Sequence, residues 1–277
     1  MPSPDRPVEA IRVGVLGAGG RMGRTISQAV ASSSDLELVA AVDPANAGTV
    51  LELDGLKTPL LIEADRSALV DARVDVAIDF TVAEAAFSNL CWLAEQDVHA
   101  VCGTTGLSKD EIGTVRVAFG REDGPNAVLA ANFAISAVLM MRLSAIAAPF
   151  FDNIEIIELH HENKRDAPSG TAVATAQMID AARSIAGAGA LGDDPTTSET
   201  MIGARGARSP GGVEVHSVRL AGLVAHQEVL FGTTGQSLTI RQDSYDRSSF
   251  MPGVLLATRQ VASTPGFTFG LEHLLGI

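Results

Sequence analysis

The sequence predicts an α/β protein, in which an open parallel β-sheet flanked by helices is followed by a second region of different pattern. Three observations support this prediction. Short apolar runs such as Ile11–Leu16 and Leu36–Val42 alternate with helical patterns, as in βαβ units. A glycine-rich turn at residues 17–23 joins the first of these runs to a helix. After residue 212 the chain changes to apolar and alternating runs that are typical of an antiparallel sheet.

The composition indicates an acidic, globular protein. The 277 residues suffice for two medium-sized domains, and 46% of them are hydrophobic while 19% are charged. A net charge of −13 argues against nucleic acid as a partner, because phosphate contacts need clustered lysine and arginine. The two cysteines do not make a disulfide framework, and no apolar run reaches the roughly 20 residues of a membrane span. We therefore expect a cytoplasmic protein that binds neither nucleic acid nor a membrane.

The turn after the first predicted strand has the glycine content of a dinucleotide-binding loop. Its spacing departs from the usual G-x-G-x-x-G, since the glycines give either G-x-G-x-x-x-G or G-x-x-G-x-x-G. Small residues still let the backbone approach a pyrophosphate at the helix start. Because a strand precedes and a helix follows, we expect a Rossmann-type dinucleotide-binding domain. The predicted cofactor contacts in this turn are Gly17, Ala18, Gly19, Gly20, Arg21, Met22 and Gly23.

Asp43 ends the second predicted strand, 20 residues after Gly23. An acid at this position binds the ribose hydroxyls of NADH and repels the 2′-phosphate of NADPH. Arg21 and Arg24, beside the glycines, could still attract that phosphate. We therefore expect NADH, or both nucleotides, as the cofactor.

Three later strand ends carry small and polar residues that could surround a nicotinamide ring. They follow predicted strands at residues 74–80, 99–102 and 127–130, and a helix capped by Thr81 is expected after the first of them. Because the carboxyl ends of parallel strands share one edge of a sheet, these ends should meet where ligands bind. The predicted cofactor contacts here are Phe80, Thr81, Gly103, Thr104, Thr105, Ala130, Asn132 and Phe133.

Residues 158–171, with the sequence ELHHENKRDAPSGT, bring together several chemically useful groups. Two adjacent histidines, one of only three lysines in the chain and a Ser-Gly-Thr helix start lie within fourteen positions. A histidine can donate a proton near neutral pH, a lysine provides positive charge, and a helix start provides N–H donors. This set suits a small anionic substrate. A metal site is not expected, because adjacent residues of a strand point to opposite sides and no further His or Cys cluster adds ligands.

With these residues in view, the chain resembles the 4-hydroxy-tetrahydrodipicolinate reductases, also called dihydrodipicolinate reductases. The resemblance is carried by residues 158–171, by Gly-Arg-Met-Gly in the glycine turn, by Asp-Phe-Thr at 79–81 and by Gly-Thr-Thr-Gly at 103–106. It covers nearly the whole chain. Two departures lie at the expected domain hinge: Ala131 stands where the family commonly has proline, and Ser136 near a family glycine.

The resemblance implies a Rossmann domain at residues 1–132 and 246–277 and an α+β domain with a mixed open sheet at residues 133–245. The second domain would bind the substrate and form a homotetramer through its sheet. The implied reaction is the reduction of 4-hydroxy-tetrahydrodipicolinate, a small dicarboxylate, by NADH or NADPH with loss of water. This step belongs to lysine biosynthesis through diaminopimelate.

The resemblance also implies roles for individual residues. His160 is the expected proton donor and Lys164 the second catalytic residue, although the residue types alone do not rank His160 above His161. The implied substrate contacts are His161, Ser169, Gly170 and Thr171. Two alternatives stay open: a dehydrogenase for another amino or keto acid, such as aspartate or diaminopimelate, and a dinucleotide sensor without catalysis. Screening of substrates with oxidised nicotinamide distinguishes the first alternative from the reductase. Nucleotide binding without turnover would indicate the second alternative.

Overall fold

The computed structural model describes residues 10–56 and 58–277. These residues form two compact units. The first unit comprises the described residues up to Phe133 together with Phe250–Ile277, and the second unit is Ala134–Ser249. None of the helices in the described ranges is long and apolar enough to span a membrane.

The elements follow one another in the order expected for an α/β unit followed by an α+β unit. The strands are β1 (Ile11–Leu16), β2 (Leu36–Val42), β3 (Val50–Leu51), β4 (Leu60–Glu63), β5 (Val76–Asp79), β6 (His99–Cys102), β7 (Ala127–Leu129), β8 (Asn153–His160), β9 (Ala207–Arg208), β10 (Glu214–Arg219), β11 (Ala225–Thr233), β12 (Gln236–Ser244) and β13 (Phe267–Phe269). The α-helices are α1 (Arg21–Ala31), α2 (Ala68–Asp71), α3 (Ala83–Glu95), α4 (Lys109–Ala118), α5 (Ile135–Ala147), α6 (Gly170–Ile185), α7 (Met251–Gln260) and α8 (Glu272–Leu275).

The first unit is built on an eight-stranded sheet with the order β13-β7-β6-β5-β1-β2-β4-β3. Neighbouring strands pair in parallel, except that β3 and β4 pair antiparallel. The strand order reverses at β1, which has β2 on one side and β5 on the other. Ligands of open α/β sheets bind beyond the carboxyl ends of the strands at such a reversal. The predicted Rossmann-type sheet is therefore confirmed.

Helices bury the faces of this sheet. Leu69 of α2, Leu90 of α3 and Phe119 after α4 are at most 1% exposed and belong to one cluster with strand residues such as Leu16. Elsewhere in the unit α1 packs beside α7. Full burial of an aliphatic or aromatic side chain contributes about 1.5–3 kcal/mol to stability. The packing of these helices therefore holds the strands of the sheet in place, including the end of β1 at Leu16.

The chain returns to the first unit after Phe250. Here β13 pairs in parallel with β7, with Phe267 opposite Ala127. The Asn126 side chain joins the returning segment, since its amide donates to the Ala262 carbonyl at 3.0 Å and its oxygen accepts from the Gly266 N–H at 2.7 Å. The first unit is thus built from residues that precede the second unit in the sequence and residues that follow it.

The second unit contains a five-stranded sheet with the order β12-β11-β8-β10-β9. β8 and β10 pair in parallel and the other neighbours pair antiparallel, so the sheet is mixed, as the family resemblance implies. The antiparallel arrangement predicted for the runs after residue 212 is right for β11 and β12, whereas β10 is antiparallel to β9 but parallel to β8. The reason is that α6 lies between β8 and β10, and a long connection with a helix allows the parallel crossover.

Helices α5 and α6 pack against each other, and they contact β12 and β8, respectively. On β8, Ile154 and Ile156 are at most 2% exposed, and Glu158 continues the same alternation with 0% exposure. The strand pattern therefore places a carboxylate where a core side chain is expected.

Candidate active site

The turn between β1 and α1 leaves no room for side chains at two glycines. A Cβ atom on Gly23 would lie 2.0 Å from the Gly17 carbonyl oxygen, and one on Gly17 would lie 2.8 Å from the Phe80 carbonyl oxygen. The first helical hydrogen bond runs from the Arg24 N–H to the Gly20 carbonyl, so the N–H groups before Arg24 precede the helical ladder. No acidic residue and no side-chain cap occupies the first turn of α1. Its positive end therefore suits an anion such as a pyrophosphate.

Asp43 holds this glycine turn in place. Its carboxylate accepts hydrogen bonds from the Gly19 N–H at 3.0 Å, the Ala45 N–H at 3.1 Å and the Asn46 side-chain amide at 3.0 Å. The Asn46 side chain fills the space beside Gly19, where a Cβ atom would lie 2.4 Å from that of Asn46. The acid predicted to bind ribose hydroxyls is thus also a structural partner of the predicted phosphate loop.

Asp79, at the end of β5, is fully buried and organises the neighbouring strand ends. It accepts from the Thr81 N–H at 3.0 Å, the Thr81 hydroxyl at 2.7 Å, the Thr104 hydroxyl at 3.1 Å and the Asn89 amide at 2.8 Å. The predicted capping of α3 by Thr81 is wrong: the residue before α3 is Val82, and no side chain caps it. The Thr81 hydroxyl instead serves the buried carboxylate.

Phe80 connects three of the predicted cofactor-binding strand ends. Its ring centroid lies 5.5 Å from that of Phe133, which is 1% exposed. A Cβ atom on Gly103 would lie 2.1 Å from the Phe80 ring, so a larger residue fits there only if the ring moves. The Ala130 N–H bonds to the Cys102 carbonyl at 3.0 Å, which keeps the ends of β6 and β7 adjacent.

The other predicted cofactor contacts in the first unit differ in exposure. Gly19, Met22 and Asn132 are half-buried and Ala18 is buried, whereas Gly20, Arg21 and Thr105 are exposed. The structure therefore brings together the residues of the β5, β6 and β7 ends, and it places the glycine turn beside them through the contact of Gly17 with Phe80.

Glu158 of β8 is the centre of a polar cluster in the second unit. Its Oε2 and Oε1 atoms accept from the two terminal nitrogens of Arg219 at 2.9 and 2.8 Å. Oε1 also accepts from the Ser169 N–H at 3.1 Å, and Oε2 lies 2.5 Å from Nδ1 of His160. Glu158, His160, Ser169 and Arg219 are called the buried carboxylate cluster below.

Local structure explains why these four residues meet. Glu158 and His160 are two positions apart on one strand, so their side chains leave the same face. Arg219 on β10 stands opposite His160 in the parallel register. Ser169 is the residue before α6, the helix that packs on β8.

Burial is the largest influence on the pKa values of the cluster. It raises the pKa of Glu158, but hydrogen bonds from Arg219, Ser217 and His160 outweigh it, so the pKa lies below its ordinary value. Burial lowers the pKa of His160, Lys164 and Arg219 lower it further, and although Glu158 opposes them the result lies below 6.5. At neutral pH the cluster is therefore a carboxylate–guanidinium pair beside a mostly neutral imidazole.

Lys164 lies in the turn that follows β8. Its Nζ atom binds both carboxylate oxygens of Asp166 at 2.8 and 2.9 Å, and the Asp166 carbonyl accepts from Arg219 at 2.7 Å. The Asp166 side chain is 63% exposed, so its pairing with Lys164 is a surface ion pair of small net energy. An anionic ligand could therefore compete with Asp166 for Lys164. The neighbouring His161 is exposed.

Ser169 caps α6, as the sequence predicts. Its hydroxyl accepts from the Ala172 N–H at 3.2 Å, and the residue is 3% exposed. Gly170 is exposed and has no heavy atom within 4 Å of the position where a Cβ would lie, so a ligand can approach its backbone. Thr171 is half-buried in the first turn. In the described part of the chain, no three His, Cys, Asp or Glu side chains group as a metal site.

Glu158 and Arg219 were not among the predicted site residues. The position of Glu158 two residues before His160 is a usable signal, because strand alternation places both on one face. Arg219 has no comparable signal, since its pairing with β8 depends on the parallel crossover.

The two units match the two family models for one kind of enzyme. The model described as "Dihydrodipicolinate reductase, N-terminus" matches residues 11–133, and "Dihydrodipicolinate reductase, C-terminus" matches residues 136–275. The chain belongs to the dihydrodipicolinate reductase family. The family resemblance drawn from residues 79–81, 103–106 and 158–171 is therefore confirmed.

Full-length relatives agree with this assignment. A 4-hydroxy-tetrahydrodipicolinate reductase from Corynebacterium aurimucosum is 51% identical over 267 residues, which cover 96% of this chain and 99% of the relative. One from Thermobifida fusca is 50% identical over 270 residues, covering 96% of this chain and all of the relative. The solved structure of a dipicolinate-bound dihydrodipicolinate reductase from Paenisporosarcina sp. TG-14 superposes with a TM-score of 0.84 at 38% identity. It covers 95% of this chain and 99% of that one.

More distant structures share the fold alone. A probable dehydrogenase from Thermotoga maritima is similar with a TM-score of 0.62 at 13% identity, covering 95% of this chain and 92% of that chain. The fold class predicted from the sequence, a Rossmann unit plus an α+β unit with a mixed sheet, is confirmed by the strand orders and by these matches.

Proposed function

We propose that this protein is an NAD(P)H-dependent 4-hydroxy-tetrahydrodipicolinate reductase of lysine biosynthesis through diaminopimelate. It forms 2,3,4,5-tetrahydrodipicolinate with loss of water. The observation that carries the proposal is the 51% identity to a relative of that name along almost the entire length of both chains. The buried carboxylate cluster supplies the chemistry that such a reaction needs.

The first unit suits the nucleotide. The N–H groups of residues 17–20 bond within the fold, so the donors for a nucleotide are those of the first turn of α1, at Arg21, Met22 and Gly23. The glycines at positions 17 and 23 could not carry a side chain. When bound, NADH or NADPH supplies the hydride. The negative charge of Asp43 beside the turn favours NADH, or the use of both nucleotides.

The turn after β8 suits the two carboxylates of the substrate. Lys164 supplies a positive charge that pairs with the exposed Asp166, and α6 directs its positive end toward this turn at Gly170 and Thr171. Ser169 holds the start of α6 through its N–H bond to Glu158 and its hydroxyl cap at Ala172. His161 is exposed in the turn after β8. The dipicolinate bound by the Paenisporosarcina relative is also a ring with two carboxylates, which supports this assignment.

His160 donates the proton. The reaction adds one hydride and one proton and releases one water. Loss of the hydroxyl as water leaves a conjugated ring, and hydride addition leaves negative charge on a neighbouring ring carbon, which takes a proton from His160. A histidine suits this step because it exchanges protons near neutral pH.

We further propose a cytoplasmic homotetramer. One face of the mixed sheet is covered by α5 and α6, while the opposite face carries the partly exposed Ile157, Leu159 and Val218. These apolar side chains lie among polar ones, since His216 and Glu228 stand on either side of Ile157. A face that combines apolar and charged groups suits association with further copies of the chain. Light scattering coupled to gel filtration measures the assembly directly, and a monomeric mass would contradict this part of the proposal.

The test of the activity is oxidation of reduced nicotinamide by the purified protein with enzymatically generated substrate. We expect turnover with NADH, and the same assay with NADPH measures the preference. Absence of oxidation with either nucleotide would overturn the proposal. Aspartate and diaminopimelate with oxidised nicotinamide test the dehydrogenase alternative, and nucleotide binding without turnover on any of these substrates would indicate the sensor.

A further inference from the structure

We propose that Glu158 is a positioning residue that fixes the tautomer of His160, placing the Nδ1 proton on its own carboxylate and leaving Nε2 to exchange the proton with the substrate. The role of His160 as donor rests on the proposed function, whereas the tautomer is a property of the protein alone. The inference depends on how the buried carboxylate cluster distributes donors and acceptors.

The hydrogen bonds of Glu158 define its charge state. Arg219 donates two bonds and the Ser169 backbone donates one, and none of these three groups can accept a proton. A carboxylate with three fixed donors and 0% exposure is held in its ionised form. At 2.5 Å from Oε2, the Nδ1 atom of His160 must therefore be the donor.

The consequence for His160 is a defined direction of proton transfer. A neutral imidazole carries one N–H, and when Nδ1 carries it, Nε2 is an acceptor that can gain and release a proton. In the protonated imidazolium, Nδ1 keeps its bond to Glu158 and Nε2 holds the transferable proton. Each turnover thus removes a proton from Nε2 and solvent restores it, while the Nδ1 proton stays in place.

Glu158 also couples this histidine to the substrate-binding turn. Its Oε1 atom holds the Ser169 N–H at the start of α6, and Arg219 bonds simultaneously to Glu158 and to the Asp166 carbonyl near Lys164. One carboxylate therefore connects the proton donor, the helix start and the lysine turn. The charged groups that influence His160 are Glu158 on its own strand, Arg219 on β10 and Lys164 in the turn.

Glu158→Gln tests the inference with almost no change in size. The amide oxygen is expected at the Oε1 position, where Ser169 and Arg219 both donate and cannot accept. The amide NH₂ then takes the Oε2 position, where it loses the second bond from Arg219 and faces Nδ1 of His160, which can become an acceptor. It would donate to Nδ1, which shifts the neutral proton to Nε2 and removes the negative charge that favours the imidazolium. We expect kcat to fall about tenfold to hundredfold with a smaller change in KM. The limb of the kcat profile that falls with rising pH should move to lower pH.

The direct readout is ¹⁵N NMR of histidine side chains, assigned by loss of signal in His160→Asn. In the unaltered protein the neutral form of His160 should carry its proton on Nδ1, and in Glu158→Gln on Nε2. Glu155→Gln is the matched control, because Glu155 lies on β8 like Glu158 but pairs with a different histidine, His216 of β10, at 2.9 Å. It should leave the His160 signals unchanged.

Two results would overturn the inference. One is an Nε2–H tautomer for neutral His160 in the unaltered protein, a measurement that needs no variant and is valid even if Glu158→Gln fails to fold. The other is a folded Glu158→Gln protein whose His160 tautomer, kcat and pH profile match the unaltered protein. An unaltered protein with the Nδ1–H tautomer but no reductase activity would contradict the proposed function and support the positioning role of Glu158.

Discussion

The carboxylate of Asp43 accepts a hydrogen bond from the Gly19 N–H at 3.0 Å, which joins the end of β2 to the glycine turn after β1. The same side chain is expected to meet the ribose of the nucleotide. We therefore expect its charge to influence the choice between NADH and NADPH, in addition to its structural bond to the turn.

Asp43→Asn should raise the ratio of kcat/KM for NADPH to that for NADH about tenfold. The amide can still accept from the Gly19 N–H, but the negative charge that repels a 2′-phosphate is lost. Two unit charges 4 Å apart near a protein surface interact by roughly 4 kcal/mol, so a tenfold effect uses a part of that energy. Glu37→Gln, an exposed acid on the same strand, should leave the ratio unchanged. An unaltered ratio in Asp43→Asn would remove this acid from nucleotide discrimination.

Gly103→Ala should destabilise the first unit by about 1–3 kcal/mol and raise KM for the nucleotide, because the new methyl group would lie 2.1 Å from the Phe80 ring. Gly113→Ala is the matched control. Gly113 is exposed within α4 and has no atom within 4 Å of the Cβ position, so alanine should stabilise by up to about 1 kcal/mol. Urea unfolding measures both changes, and equal stabilities of the two variants would contradict the close packing at Gly103.

Lys164→Ala should raise KM for the dicarboxylate substrate and lower kcat, with kcat/KM falling roughly tenfold to hundredfold. This is the range of a charge-assisted hydrogen bond of about 1.5–3 kcal/mol. Lys109→Ala, which removes an exposed lysine in α4 of the first unit, should leave the kinetics unchanged. Steady-state kinetics of the two variants test the role of Lys164 in substrate binding. Unaltered kinetics in Lys164→Ala would exclude Lys164 from the site.

Arg219→Met should reduce the free energy of unfolding by about 3–5 kcal/mol at neutral pH, because the buried Glu158 loses its cationic partner. The pKa of Glu158 lies below its ordinary value of 4.5 in the folded protein. Its stabilising contribution is therefore present above the unfolded pKa and is lost as the pH falls through the folded pKa. The difference in free energy of unfolding between Arg219→Met and the unaltered protein should become smaller as the pH falls toward 4.5. The reason is that Glu158, without Arg219, takes up a proton in the folded variant.

Arg205→Met provides the comparison for that experiment. Arg205 pairs with Glu155 at 2.8 Å, but both side chains are about one-third exposed, at 35% and 34%. Its loss should cost less than about 1 kcal/mol and depend little on pH. Urea unfolding midpoints of Arg219→Met and Arg205→Met, measured between neutral and acidic pH, compare the two losses of stability. Equal losses would mean that the burial of Glu158 does not strengthen its ion pair with Arg219.

The sequence was most informative where hydrophobic patterns are continuous. β1 and β2 have the predicted bounds because uninterrupted apolar runs such as Leu36–Val42 are typical of strands buried on both faces. β13 was missed because Phe267–Phe269 is too short to carry a period. It exists through pairing with β7 and through the bond from Gly266 to Asn126, which are 140 positions apart.

The candidate site could likewise be predicted only in part. The residues at 158–171 could be recognised because their side-chain types indicate proton transfer and anion binding. The partners that set their properties could not, because they are defined by tertiary pairing: Arg219 reaches Glu158 only through the parallel register of β10 with β8. Thr81 was predicted as a helix cap because the local pattern fits one, and the competing acceptor, Asp79, becomes decisive only when its burial is known.

The late pairing of β13 with β7 has a consequence for protein synthesis. The ribosome makes the whole of Ala134–Ser249 after β7 and before Phe267, so the outer edge of β7 has no partner while the second unit is translated. Unpaired strand edges are templates for pairing with other chains. Seven of the eight strands are thus synthesised before the last one, and until β13 leaves the exit tunnel the open edge of β7 is a site where pairing with another chain could begin.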